Sequence, residues 1–185
     1  MLEIKIGARE GYDEQKQEFV YIKETVLQLE HSLISISKWE SKWHKPFLKS
    51  SNEMTNDEII DYIKCMTVSP GNVKPEVYYF LSDQNIKDII NYIKDPMTAT
   101  WFKDENKNKQ SKEIITSELI YYWMVALQIP FECQKWHINR LLTLIKVCNV
   151  KNEEQGSKNK MSKRELMSRN AALNAQRKAK LHTKG

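Results

Sequence analysis

With 185 residues and 41% hydrophobic content, the chain is sized for one compact domain with a tail, or at most two small domains. Its longest apolar run, Leu119 to Leu127, is about half of the ~20 residues a spanning helix needs, and the first residues lack signal-peptide grammar, so neither is predicted. The net charge of +5 is uneven: residues 157–185 carry nine Lys/Arg against Glu165 alone, or +8, leaving −3 for the rest.

Leu2, Ile4 and Ile6 alternate with charged residues, and Glu18–Ile22 and Thr25–Glu30 are rich in β-branched and aromatic residues. This spacing predicts a small antiparallel β meander of two or three strands over residues 1–31, with Lys23-Glu24 between two of them. A helix from about Ser32 to His44 follows, burying Leu33, Ile36, Trp39 and Trp43 and stopped by Pro46. Thr55-Asn-Asp-Glu58 reads as a capping box opening a helix in which Ile59, Ile60, Ile63 and Met66 share a face. Ser69-Pro-Gly71 breaks the chain. Ser82 then caps a helix with Ile86, Ile89, Ile90 and Ile93, ended by Asp95-Pro96. Residues 96–102 are less regular, and residues 103–112 read as a polar loop.

Two apolar segments meet at Pro130. Glu113 to Ile129 reads as a helix, apolar nearly all round from Leu119 to Leu127. Phe131 to Asn149 reads as a second helix, with Ile138, Leu141, Leu142, Ile145 and Cys148 on one stripe and Pro130 in its first turn. Residues 32–151 thus form a helical body, continuous with the β element as one mainly α (α+β) domain. Residues 152–161 read as a linker, and residues 162–185 as a basic helix opened by a Ser162–Glu165 capping box. That helix is too polar to be stable without a partner surface.

Catalytic grammar is missing from the sequence. Cys133 and His137, four apart, would share a helix face, but no second Cys/His pair completes a zinc set, and a buried structural cysteine is the better reading. There is no Gly-rich phosphate loop, no G-x-S-x-G turn and no carboxylate pair framed by apolar residues, so no enzyme, cofactor or metal is expected. Three cysteines without paired spacing fit a reducing cytoplasm. The candidate partner-binding residues are the aromatics Trp39, Trp43, Phe47, Trp101 and Phe102, with core packing as the competing reading. To these are added the tail cations Lys163, Arg164, Arg169, Arg177, Lys178 and Lys180. The tail has no aromatic residue to stack on bases, so nucleic acid ranks below an acidic protein as its partner.

Four blocks carry a family resemblance: HSLISISKWESKWHKPFL (31–48), DPMTATWF (95–102), SELIYYWMVALQIPFECQKWHINRLLTLIKVCN (117–149) and RNAALNAQRKAKLHTKG (169–185). Together they resemble the tail assembly chaperones of long-tailed bacteriophages. The resemblance implies a non-enzymatic protein of the host cytoplasm. It would bind the long helical tape-measure protein, alongside other tail proteins, during tail morphogenesis and leave before the virion is complete. A structural protein of the tail or head–tail connector is the second reading, and a nucleic-acid-binding accessory protein using the basic tail is the third.

Overall fold

The computed structural model describes residues 1–13, 17–50, 53–69, 73–102, 113–158 and 163–181. The protein is mainly helical with a small N-terminal antiparallel β element, as the sequence predicts. In chain order it forms β1 (Leu2–Ile6), β2 (Arg9–Asp13), β3 (Glu18–Ile22), β4 (Thr25–Leu29), α1 (Leu33–Trp43), α2 (Phe47–Ser50) and α3 (Asn56–Met66). There follow α4 (Asp83–Lys94), α5 (Ser117–Ala126), α6 (Ile138–Lys158) and α7 (Lys163–Leu181), with 3₁₀ turns at Pro75–Phe80 and Phe131–Lys135. The chain divides into two compact units, Met1–Ile145 and Lys146–Gly185.

The strands correct the expected meander. β1 pairs with β4 and β2 with β3, and the paired residue numbers add to 31 in both ladders. The four strands are therefore one long hairpin, interrupted at residues 7–8 and 23–24. Lys23-Glu24 looks locally like a turn, but the single register puts Ile4 opposite Leu27 and buries both together with Ile6 and Leu29. A slip of one residue would turn that whole set to solvent. The free edge of β4 is covered by residues 66–69. The Val68 N–H donates to the Gln28 carbonyl at 2.8 Å, and the Gln28 N–H donates to Ser69 Oγ at 2.8 Å.

Three helices start where their caps predict. Ser32, Thr55 and Ser82 each accept from the main-chain N–H three residues on, and Ser35, Glu58 and Asn85 return the bond. Such a cap satisfies donors that a helix start leaves free and contributes about 1 kcal/mol. His44 closes α1 in the left-handed region at φ 53°. The core of the first unit gathers Leu27, Leu29, Leu33, Ile36, Trp39, Ile63, Met66, Ile120, Met124, Ile138 and Leu141, all fully or almost fully buried. At about 1.5–3 kcal/mol per large side chain, this shared interior is the main favourable term for that unit. Ile59 and Ile90 lie on the outer flank of their helices and remain exposed.

The apolar pair around Pro130 is not two simple helices. The Thr116 hydroxyl caps α5, and left-handed Gln128 (φ 54°) ends it. There the Ile129 N–H reaches back to the Met124 carbonyl at 2.8 Å and the Gln128 N–H to that of Val125 at 3.1 Å. The predicted helix from Phe131 is replaced by a 3₁₀ turn, an extended Trp136, and α6 from Ile138. The reason is long-range main-chain pairing. His137 bridges Ser32, and the Ile138 N–H donates to the His31 carbonyl at 2.9 Å, which the helical alternative would forfeit.

The expected linker is also corrected, because residues 152–158 belong to α6. Glu153, Glu154 and Gln155 are good helix formers, Lys151 pairs with Glu154 at 3.0 Å, and the single Gly156 costs only about 1 kcal/mol. The polar loop 103–112, residues 70–71 of the expected break and residues 159–161 of the expected linker lie outside the described residues. So do Ser162 and the Glu165 side chain of the expected tail cap. Among the described residues no helix is long and apolar enough to cross a membrane.

Candidate functional site

Two of the aromatic candidates are core residues. Trp39 is fully buried and donates from Nε1 to the Glu58 carbonyl at 3.0 Å. Phe47 lies with its ring 5.4 Å from that of Trp39 and 4.1 Å from that of Tyr62. Both were predicted as partner anchors; α1 and α3 pack around them instead, and no surface is left to a partner. Trp43 is half-buried: its Nε1 donates to Asp61 at 2.9 Å, and the Lys42 and Lys45 ammonium groups each stand 5.9 Å from its ring. Lys42 also pairs with Asp61 and Lys45 with Glu58, and these bonds fix the indole against α3.

The remaining candidates differ in exposure. Trp101 is 84% exposed and Phe102 half-buried. Arg164, Arg169, Arg177, Lys178 and Lys180 are exposed on α7; Lys163 opens that helix, and its side chain is outside the described residues. Met167 and Leu173 of the same helix are exposed too.

Cys133 and His137 do not share a helix face. Cys133 is buried in the 3₁₀ turn, while His137 belongs to the extended step before α6. Instead His137 meets His31, ring centroids 4.9 Å apart and edge to face. The His137 Nε2 donates to the Tyr92 carbonyl at 2.9 Å, which leaves Nδ1 to accept the Asn139 N–H at 3.3 Å. The His31 Nδ1 is bonded to the Tyr62 hydroxyl, which also meets Ser35 Oγ at 3.4 Å. Burial first, and His137 second, push the His31 imidazole down to about 3. Burial pushes the Tyr62 and Tyr92 phenols up. These groups are neutral at physiological pH and join α1, α3, α4 and α6 as a polar clasp within the interior. Among the described residues no group of three His, Cys, Asp or Glu side chains could hold a metal ion.

Two apolar patches outside the candidate partner residues are open to solvent. On the β2–β3 hairpin, Tyr12 pairs across from Phe19, ring centroids 5.2 Å apart, and Tyr21 follows on the same face; all three are exposed. The opposite face of that hairpin is occupied, since Gly11 sits where a Cβ would stand 2.7 Å from the Phe80 ring.

The second patch is larger in sequence and belongs to α5. This helix buries Ser117, Ile120 and Met124 on one side, while Tyr122 (65% exposed), Val125 (60%) and Phe131 (54%) face out. Tyr122 and Val125 are three residues apart on one helix face. Phe131 follows the turn at Gln128, its ring 6.5 Å from that of Tyr121, whose hydroxyl donates to Gln134 Oε1 at 3.0 Å. Ile114 is exposed just before the helix. A helix apolar all round is expected to be buried all round. That mismatch between the composition of Leu119–Leu127 and its half-open setting is visible only in the structure. The chain matches no family model, no curated protein and no solved structure.

Proposed function

We propose that this chain is a non-enzymatic morphogenesis protein of long-tailed bacteriophages that binds the helical tape-measure protein during tail assembly. The outer face of α5 is the docking surface. The observation that carries this reading is the uncovered strip of Tyr122, Val125 and Phe131 on a short helix whose opposite side is core. Contiguous exposed apolar side chains of this kind mark interaction surfaces. A strip of helical spacing fits the apolar stripe of another helix, the commonest way an amphipathic segment is held. The resemblance of residues 31–48, 95–102, 117–149 and 169–185 to tail assembly chaperones supplies the identity of that helix.

The test is affinity capture from infected cells alongside mass spectrometry of purified particles. Recovery of the tape-measure protein by the wild-type chain, its loss with Val125→Asp, and no copies of the chain in particles are the expected results. Stoichiometric presence in particles would replace the chaperone with a structural tail or connector protein.

A further inference from the structure

We propose that the helix accepted by the α5 strip is basic, an amphipathic segment with Lys or Arg flanking its apolar stripe. This rests on the helix-binding reading above and adds to it the sign of charge the partner must carry. From residue 113 to residue 134 the charged side chains are Glu113, Glu118 and Glu132, and the exposed Lys135 closes the 3₁₀ turn that follows Pro130.

Two of these acids bracket the strip. Glu118 lies four residues before Tyr122 and seven before Val125, so it heads the same face of α5. It is exposed, and its carboxyl is held below the usual range by its own main-chain N–H, then by Thr116 and Ser117, so it is a full negative charge at neutral pH. Glu132 is exposed directly after Phe131 at the other end. A helix laid over Tyr122, Val125 and Phe131 brings its flanking side chains to both carboxylates. Lysine or arginine there forms ion pairs at the edge of an apolar contact, whereas glutamate sets like charges together, which costs affinity and excludes that partner.

The same arrangement argues against a second copy as the occupant. A two-fold contact through this face would match the patch with itself, placing Glu118 and Glu132 of one copy among those of the other with no cation within the strip. An apolar strip with Glu118 before it and Glu132 after it favours a basic helix over its own image.

The experiment titrates the full-length chain into three fluorescent amphipathic peptides of about 18 residues, or five turns. They share one leucine stripe and differ only in carrying Lys/Arg, Gln or Glu on its flanks. Binding at the strip is the part removed by the Tyr122→Asp/Val125→Asp double variant, whose folding is checked by its thermal melt. The basic peptide should bind about tenfold or more tighter than the Gln peptide, with no strip-dependent binding of the Glu peptide. Raising salt from about 50 to about 500 mM should shrink that preference as the charges are screened. Glu118→Gln/Glu132→Gln should make the basic and Gln peptides bind alike.

If the Gln or Glu peptide binds the strip as tightly as the basic one, the charge proposal falls while the helix-binding reading stands. If no peptide binds in a way that Tyr122 and Val125 control, the helix-binding reading falls with it. Dimerisation of the chain alone that Val125→Asp abolishes, seen by sedimentation, would make a second copy the occupant and overturn the proposal.

Discussion

The carboxylate of Glu40 accepts the main-chain N–H of Ser117, 77 positions away, at 2.7 Å, and with its other oxygen accepts the N–H of Phe47 at 2.8 Å. Glu40 is buried, and these partners are amides rather than a cation. Ser117 is the first residue of α5, where the free N–H groups and the helix dipole favour an anion. One side chain of α1 thereby fixes where α2 and α5 begin. Glu40→Ala strands two buried donors and should lower stability by about 3 kcal/mol in urea unfolding. Glu40→Gln keeps an acceptor for one amide but presents its NH₂ to the other, and should cost about 1–2 kcal/mol.

Acid should loosen the fold in two stages. The folded His31 holds its proton only near pH 3, the unfolded residue near 6.5, so between those values the unfolded chain binds the extra proton. Stability from this group is fully present above pH 6.5 and is lost as the pH falls towards 3. The slope approaches about 1.4 kcal/mol per pH unit. His137, also lowered by burial, acts in the same sense. Glu58 is held below the usual carboxyl value by the Lys45 hydrogen bond first and by Thr55 next, so its contribution is present above pH 4.5 and fades below it. Urea midpoints should therefore begin to drop below about pH 6.5, and His31→Gln should flatten that first stage. A midpoint constant from pH 7 to pH 5 would contradict a buried neutral ring.

The tryptophans should separate sharply in effect. Trp39→Ala and Phe47→Ala each remove a buried ring from the α1–α3 core and should cost about 3–5 kcal/mol, enough to unfold a marginal domain. Trp101→Ala, at a side chain 84% exposed, should change stability by no more than about 0.5 kcal/mol. Thermal melts followed by circular dichroism distinguish the two classes.

Gly11 and Phe80 make a coupled pair. A Cβ on residue 11 would stand 2.7 Å from the Phe80 ring atoms, so Gly11→Ala forces the ring or the hairpin aside and should cost about 1–3 kcal/mol. Phe80→Leu in the same chain should recover part of that loss. A double-mutant cycle with no coupling would mean that the hairpin does not rest on this ring.

How much could be read beforehand follows the range of the interaction. α1, α3 and α4 were legible because their caps and stripes sit within four residues of one another, as Ser32, Thr55 and Ser82 show. The step at Trp136 was not, because it is held by the His31 carbonyl from the far end of the body, and apolar spacing across Phe131–Asn149 favours helix locally. The same holds for Glu40, which reads in isolation as one more surface carboxylate on a helix. Trp39 and Phe47 were offered both as anchors and as core, since aromatic residues serve both ends and only packing decides. Which face of α5 is left open was not legible, because hydrophobicity all round a helix ordinarily signals an interior.

The stitch between Ser32 and His137 also sets a schedule. The bond from the Ile138 N–H to the His31 carbonyl forms only once residue 138 has been made. At roughly 5–20 residues per second of synthesis, the intervening hundred or so residues take roughly 5–20 s to be made. Throughout that interval the N-terminal part of the core lacks the residues that complete it. Slower decoding between residues 47 and 117 lengthens that interval, and apolar surface left open on incomplete chains favours aggregation.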